Sequence, residues 1–192
     1  MKAGIYITAA AVGLCAAGAV ALYYRHRRTH VQPVPKTETV EDRFISEWAN
    51  ILKDNARVFN GLFGGMHRVV SGTAKKPEKV LREWCQRAHY KWENEPVDNL
   101  CQQNIVPLIE AADRDALTKW ANLLLDAAAA AGITREEAAS LVLTEHNSEA
   151  YIEWDGCELY PEDEVEVITP AWYQNGKILE QGQCRKATKA EE

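Results

Sequence analysis

VEDRFISEWANILKDNARVFNGLFGGMHRVV, running from Val40 to Val70, is the stretch on which the fold turns. Within it Ile45, Trp48, Leu52, Asn55, Phe59, Leu62, Met66 and Val69 recur at alternating steps of three and four. Such spacing draws one stripe along a helix, and an apolar stripe held at the heptad period wants a facing helix. Asn55 is the polar residue in the stripe, and a lone asparagine there fixes register in parallel pairs. The spacing therefore predicts a coiled-coil-like helix over residues 40–72. Ile45, Trp48, Leu52, Asn55, Phe59 and Leu62 form the expected dimerisation seam of a homodimer. Gly61, Gly64 and Gly65 weigh against it, at about 1 kcal/mol each in a helix interior. An amphipathic helix lying on a membrane surface fits the same stripe; the paired reading is preferred.

Upstream, Ala3 to Tyr24 (AGIYITAAAVGLCAAGAVALYY) contains no charged side chain. About 20 mainly apolar residues suffice to span a bilayer as a helix. Tyr6 at one end and Tyr23 and Tyr24 at the other suit the interfacial belts. Arg25, His26, Arg27 and Arg28 follow at once, so the positive-inside bias puts the bulk of the chain in the cytoplasm. A cleaved signal peptide would carry its charges ahead of a shorter apolar core. Residues 1–28 thus read as a single-pass anchor, in a bacterial inner membrane. Residues 29–39 (THVQPVPKTET) read as a proline-containing linker.

Charge and cysteine usage narrow the function classes. The net charge of -6 argues against nucleic acid as a partner. Five scattered cysteines and five scattered histidines make no disulfide framework and no metal-ligand frame. Neither a phosphate loop nor a nucleophile elbow occurs. The expectation is a protein that is not an enzyme, with no catalytic residue, no metal and no cofactor.

Downstream of residue 72 the pattern continues helical. Val80, Leu81, Trp84 and Ala88 mark one helix, and Pro96 starts or kinks the next. Val97, Cys101, Ile105, Leu108 and Ala112 mark another run, and Leu117, Trp120, Leu124, Ala127 and Ala131 a further one that ends at Gly132. Thr134 and Glu137 form a capping box for a short helix. The character then changes: Ala150–Trp154 and Val165–Ile168 are strand-like, and WYQNGKIL (Trp172–Leu179) is a hairpin turning at Asn175-Gly176. The expected fold class is α+β, mainly α. It comprises a transmembrane helix, a long coiled-coil-like helix with a small helix bundle, and a small C-terminal β domain.

Several of these segments resemble the GrpE family of nucleotide exchange factors. Ile105-Val-Pro-Leu-Ile-Glu-Ala-Ala-Asp-Arg114, with Ala116-Leu117, is similar to its L-L-P-V-[IL]-D-x-[LF]-[DE]-R and A-L signature. Leu81-Arg82 stands upstream at nearly the family's distance, and Leu124-Leu125-Asp126 through Gly132-Ile133 looks like its L-L-D…G-[VI] element. Glu149-Ala150, Tyr160-Pro161-Glu162 and Trp172–Leu179 resemble parts of the family's β domain, in order. Glu180-Gln181-Gly182-Gln183 stands where the family has R-P-A-x. The likeness runs over residues 80–190 and implies a GrpE-like helical region at 78–145 and a β wing at 146–188. It also implies a DnaK-type heat-shock chaperone as partner, gripped at its nucleotide-binding domain so that ADP leaves during protein folding and stress response. By position it assigns partner contacts to Ile168, Leu143, Asn147, Arg82 and Lys91. A membrane-anchored adaptor that keeps the shape without exchange activity is the alternative.

Overall fold

The computed structural model of the protein describes residues 38–187. The expected membrane span and nearly all of the linker lie outside them. Among the described residues no helix is long and apolar enough to cross a membrane.

Helix α1 (Val40–Asn55) opens on a capping box: Asp42 N–H donates to Thr39 Oγ1 (3.0 Å) and Thr39 N–H to the Asp42 carboxylate (3.1 Å). Its buried stripe is Phe44, Trp48 and Leu52. The helix then stops. Ala56–Phe59 is a 3-10 turn, Gly61 sits at φ +84°, and α2 spans only Phe63–Val70. The long coiled-coil-like helix expected over 40–72 is therefore absent, which corrects the fold expectation. The supposed seam is the inside of this chain: Trp48, Leu52, Phe59 and Leu62 are buried, while Ile45 and Asn55 are half-buried. Asn55 spends its Nδ2 on the Ile51 carbonyl (3.2 Å), a local bond rather than a register lock.

Helices α3 (Pro77–Trp92), α4 (Pro96–Asn104), α5 (Val106–Ala111) and α6 (Arg114–Ala130) complete the helical layer. Helix α6 packs along α1 and α2. It starts at the Asp113 cap, whose side chain accepts from Ala116 N–H, and ends before Gly132 at φ +77°, as its sequence suggests. An aromatic cluster holds the centre. Trp84 meets Phe59 (4.2 Å between ring centres), Trp48 (5.4 Å) and Phe63 (5.7 Å), and Phe44 meets Trp120 edge-on (4.7 Å).

The strands begin earlier than the wing boundary at 146. Ile133–Arg135 is strand β1, not the start of the short helix its capping-box pattern suggests. It pairs with β5 (Trp172–Gln174), which turns through Asn175 and Gly176, both at positive φ, into β6 (Lys177–Glu180). This three-stranded antiparallel sheet belongs to the helical core, because Ile133, Trp172 and Leu179 are buried in it. A second, four-stranded sheet has order β2-β4-β7-β3, from β2 (Ser140–Val142), β3 (Tyr151–Glu153), β4 (Glu164–Thr169) and β7 (Gly182–Lys186). It encloses its own small core of Leu143, Ala150, Tyr151, Val165, Ala171 and Cys184.

Glu180 bolts the hairpin to the helices. Its carboxylate accepts from the N–H groups of Gly61, Phe63 and Gly64, each at 2.9 Å, at the amino end of α2. A Cβ on Gly64 would come 2.9 Å from Glu180 Oε1, so a side chain there would push the carboxylate off these donors. Burial pushes the Glu180 pKa up, and the three backbone donors and Arg68 oppose that rise. Gln174 Nε2 adds a second bolt by donating to the Leu52 (3.1 Å) and Lys53 (3.0 Å) carbonyls at the end of α1.

Candidate docking surface

Strand β4 alternates as a half-buried strand should: Val165 points into the small core while Glu164 and Glu166 face solvent. The alternation then slips. Val167 pairs with Cys184 and Thr169 with Gln183, so Ile168 is the extra residue of a β-bulge. Bulges re-aim side chains and are common beside functional sites. Ile168 is half-buried and packs into neither apolar core. Next to it, Gln183 stands opposite both Thr169 and Ile152. In the following row Glu166 stands opposite Arg185, joined by an ion pair of 2.7 Å, and Trp154 N–H donates to the adjacent Cys184 carbonyl. On edge strand β2, Val142 faces Glu164. The outward side of this sheet thus exposes Ile152, Trp154 and Val142 at 43, 54 and 52%.

A loop from Trp154 to Asp163 lies over the core side of the sheet, where Leu159 packs against the small core and Glu158 and Tyr160 line a pocket with Leu143, Tyr151 and Glu153. Tyr160 N–H donates to Asp163 at 2.7 Å, and this bond, aided by Lys186 at 3.0 Å, holds the Asp163 carboxyl below its ordinary pKa. The Tyr160 hydroxyl donates to Glu158, which raises its own pKa. Lys186 also lies over the Tyr160 ring, 5.4 Å from its centre.

No family model matches this sequence, and neither a curated protein nor a solved structure matches it significantly.

The residues assigned by resemblance separate into three groups. Ile168 is half-buried and belongs to neither apolar core. Leu143 is buried in the small core, its backbone bonded to Glu162 and Asp163, so it cannot touch a partner directly. Asn147 is consumed by its own turn: Oδ1 accepts from Thr144 N–H (2.6 Å) and Nδ2 donates to the Val142 carbonyl (3.2 Å). Arg82 and Lys91 are both exposed on α3, but nine residues make about two and a half helical turns and put them on opposite sides. Arg82 instead borders a groove with His89, Gln102, Val106 and Ile109. There the buried Asp98 bonds His89 Nδ1 (2.9 Å) and raises the histidine's pKa.

Sequence reading missed Ile152, Trp154 and Val142. The signal was available: Tyr151-Ile152-Glu153-Trp154 alternates, and once Tyr151 is inward Ile152 and Trp154 must face out. Among the described residues no group of three or more His, Cys, Asp or Glu side chains is placed to hold a metal ion.

Proposed function

We propose that the chain is a membrane-tethered GrpE-type nucleotide exchange factor, a co-chaperone that acts without chemistry of its own on a DnaK-type chaperone. One observation carries this reading. Ile168, the position at which the resemblance expects an apolar partner contact, is the bulged residue of β4, half-buried and part of neither apolar core. A core strand residue would be satisfied by its own domain, whereas an apolar side chain left at a bulge is available to another. The uncharged run Ala3–Tyr24 and the basic Arg25–Arg28 supply the tether and place the folded part on the cytoplasmic side.

Exchange then follows from differential binding. A partner that grips the open form of the chaperone's nucleotide cleft more tightly than the closed form speeds ADP release. A tenfold acceleration needs only about 1.4 kcal/mol, which a few apolar contacts can supply. The test is release of labelled ADP from a DnaK-type chaperone with and without the full chain. Faster release, lost in Ile168→Asp, is the expected result; absence of any binding to the chaperone overturns the proposal.

A second reading is favoured by a specific observation. Helix α1 ends at Asn55 and its apolar stripe is spent on the chain's own core, leaving among the described residues no long paired helix to span a cleft. Binding through the sheet face without acceleration of ADP release identifies an adaptor.

A further inference from the structure

The groove that Arg82 borders carries chemistry of its own. Along α3, Arg82, Gln86 and His89 stand at steps of four and three, so they share one side of the helix and line the groove together. Val106 and Ile109 of α5 form its apolar part, half-buried and buried respectively, and it encloses about 170 Å³. The chain as a whole carries -6, yet the described residues lining this groove include two cations, Arg82 and His89, and no carboxylate.

The histidine is held in place from below. Asp98 is 4% exposed and fully engaged: it accepts from His89 Nδ1 at 2.9 Å and from Gln102 Nε2 at 3.2 Å. A buried carboxylate is costly unless a cation answers it, so the pair favours charged His89. The Asp98 bond and charge raise the histidine's pKa, with Glu93 adding to them. With Nδ1 committed, the ring's direction is set, and His89 Nε2 has no partner among the described residues. Arg82 makes no ion pair or hydrogen bond among them either. Asp98 balances the histidine, which leaves the arginine's charge in surplus.

We infer that this groove binds a small aliphatic carboxylate, its negative charge set between Arg82 and His89 Nε2–H and its chain lying on Val106 and Ile109. Charge and size select that class. Two cations without a lining carboxylate exclude a cationic ligand, and one surplus charge suits a monoanion better than a phosphate dianion. Drug-sized sites run to about 300–1,000 Å³, so a groove of about 170 Å³ suits a ligand of a few carbons. A bare inorganic anion would leave the apolar part uncovered.

The probe is hexanoate, titrated into the full chain in detergent micelles with ¹⁵N-labelled histidine. There are five histidines, so the ring resonances are few, and His89→Gln identifies the one that belongs to His89. That resonance should shift saturably with hexanoate. Acetate should bind at least about tenfold more weakly, since each buried methylene is worth about three- to fourfold. 1-Hexanol, which has the chain without the charge, should also be about tenfold weaker. Arg82→Gln should weaken hexanoate by about tenfold, and Gln86→Trp, filling the groove from an exposed position, should abolish the shift. Unchanged circular dichroism checks that both variants keep the fold. A His89 resonance indifferent to hexanoate overturns the inference. So does equal affinity for acetate or hexanol, or wild-type binding by Arg82→Gln. None of these outcomes touches the co-chaperone reading, which is tested at Ile168.

Discussion

The two sheets are built from interleaved pieces of the same sequence, yet they are put to opposite uses. The three-stranded sheet sends Ile133, Trp172 and Leu179 into the helical core and is bolted there by Glu180 and Gln174. The four-stranded sheet keeps a private core and leaves its other side, with Ile152, Trp154 and Val142, to solvent. One sheet is structural because its apolar residues enter the helical core and two of its side chains, Gln174 and Glu180, are bonded to backbone groups at helix ends. The other is free to recognise something because its small core already satisfies it. Strand count and hydrophobicity do not separate the two; what lies opposite each face does.

Substitutions should therefore divide by sheet. The largest effect is expected at the aromatic hub the first sheet closes: Trp84→Ala should cost about 3–5 kcal/mol, enough to unfold much of the protein, as read by urea denaturation. Next is the bolt. Glu180→Ala leaves three backbone N–H groups without their acceptor and should cost about 2–4 kcal/mol. Glu180→Gln keeps an oxygen acceptor and should cost less than the alanine change.

Glu180 also sets a pH signature of known sign. Because burial raises its folded-state pKa above the ordinary carboxylate value, the native state holds the proton more tightly than the unfolded chain. Its contribution to stability is full below the ordinary value and is lost as pH rises through the raised one. Thermal melts across that window should show a decline in the wild type that Glu180→Gln removes; an identical pH profile would break the assignment.

Smaller still is the hairpin turn. Gly176→Val places a β-branched residue at φ +72° and should cost about 1–3 kcal/mol. Because β5 and β6 are part of the helical core, the loss should appear in the global transition rather than in a separate β melt. Ile168→Asp sits at the bottom of the scale. It should cost only about 1 kcal/mol of stability while removing partner binding, and a marked fall in melting temperature would place Ile168 in a core after all.

How much of this was legible depends on how far the deciding contact lies along the chain. The Asn175-Gly176 turn and the Gly132 helix stop were legible because each is fixed by the φ its own residues can adopt. The stripe from Ile45 to Val69 was legible as buried surface, but periodicity cannot say whose surface buries it. Here the answer is the same chain, with α6 lying on α1 and α2. The break after Asn55 was signalled only by the cost of Gly61, Gly64 and Gly65 in a helix, since the donors it exposes at Gly61, Phe63 and Gly64 are answered by Glu180, 116 to 119 residues away. Thr134 and Glu137 carried a valid capping pattern that lost to pairing with Trp172 and Tyr173. On the candidate face, Ile168 came from resemblance, whereas Ile152 and Trp154 needed only strand parity that no local signal anchored.

The Glu180 bolt has a consequence for how the protein is made. Helix α2 emerges from the ribosome more than a hundred residues before the carboxylate that caps it, and Trp172 and Leu179 arrive equally late. Until they do, the helical layer lacks one wall and displays Phe63 and the surrounding aromatic rings to whatever is near. Contacts of such long sequence separation form slowly and leave apolar surface uncovered meanwhile. The nascent chain must thus be translated through Glu180 before its helical layer can close, and for that interval it has the properties of a chaperone's client.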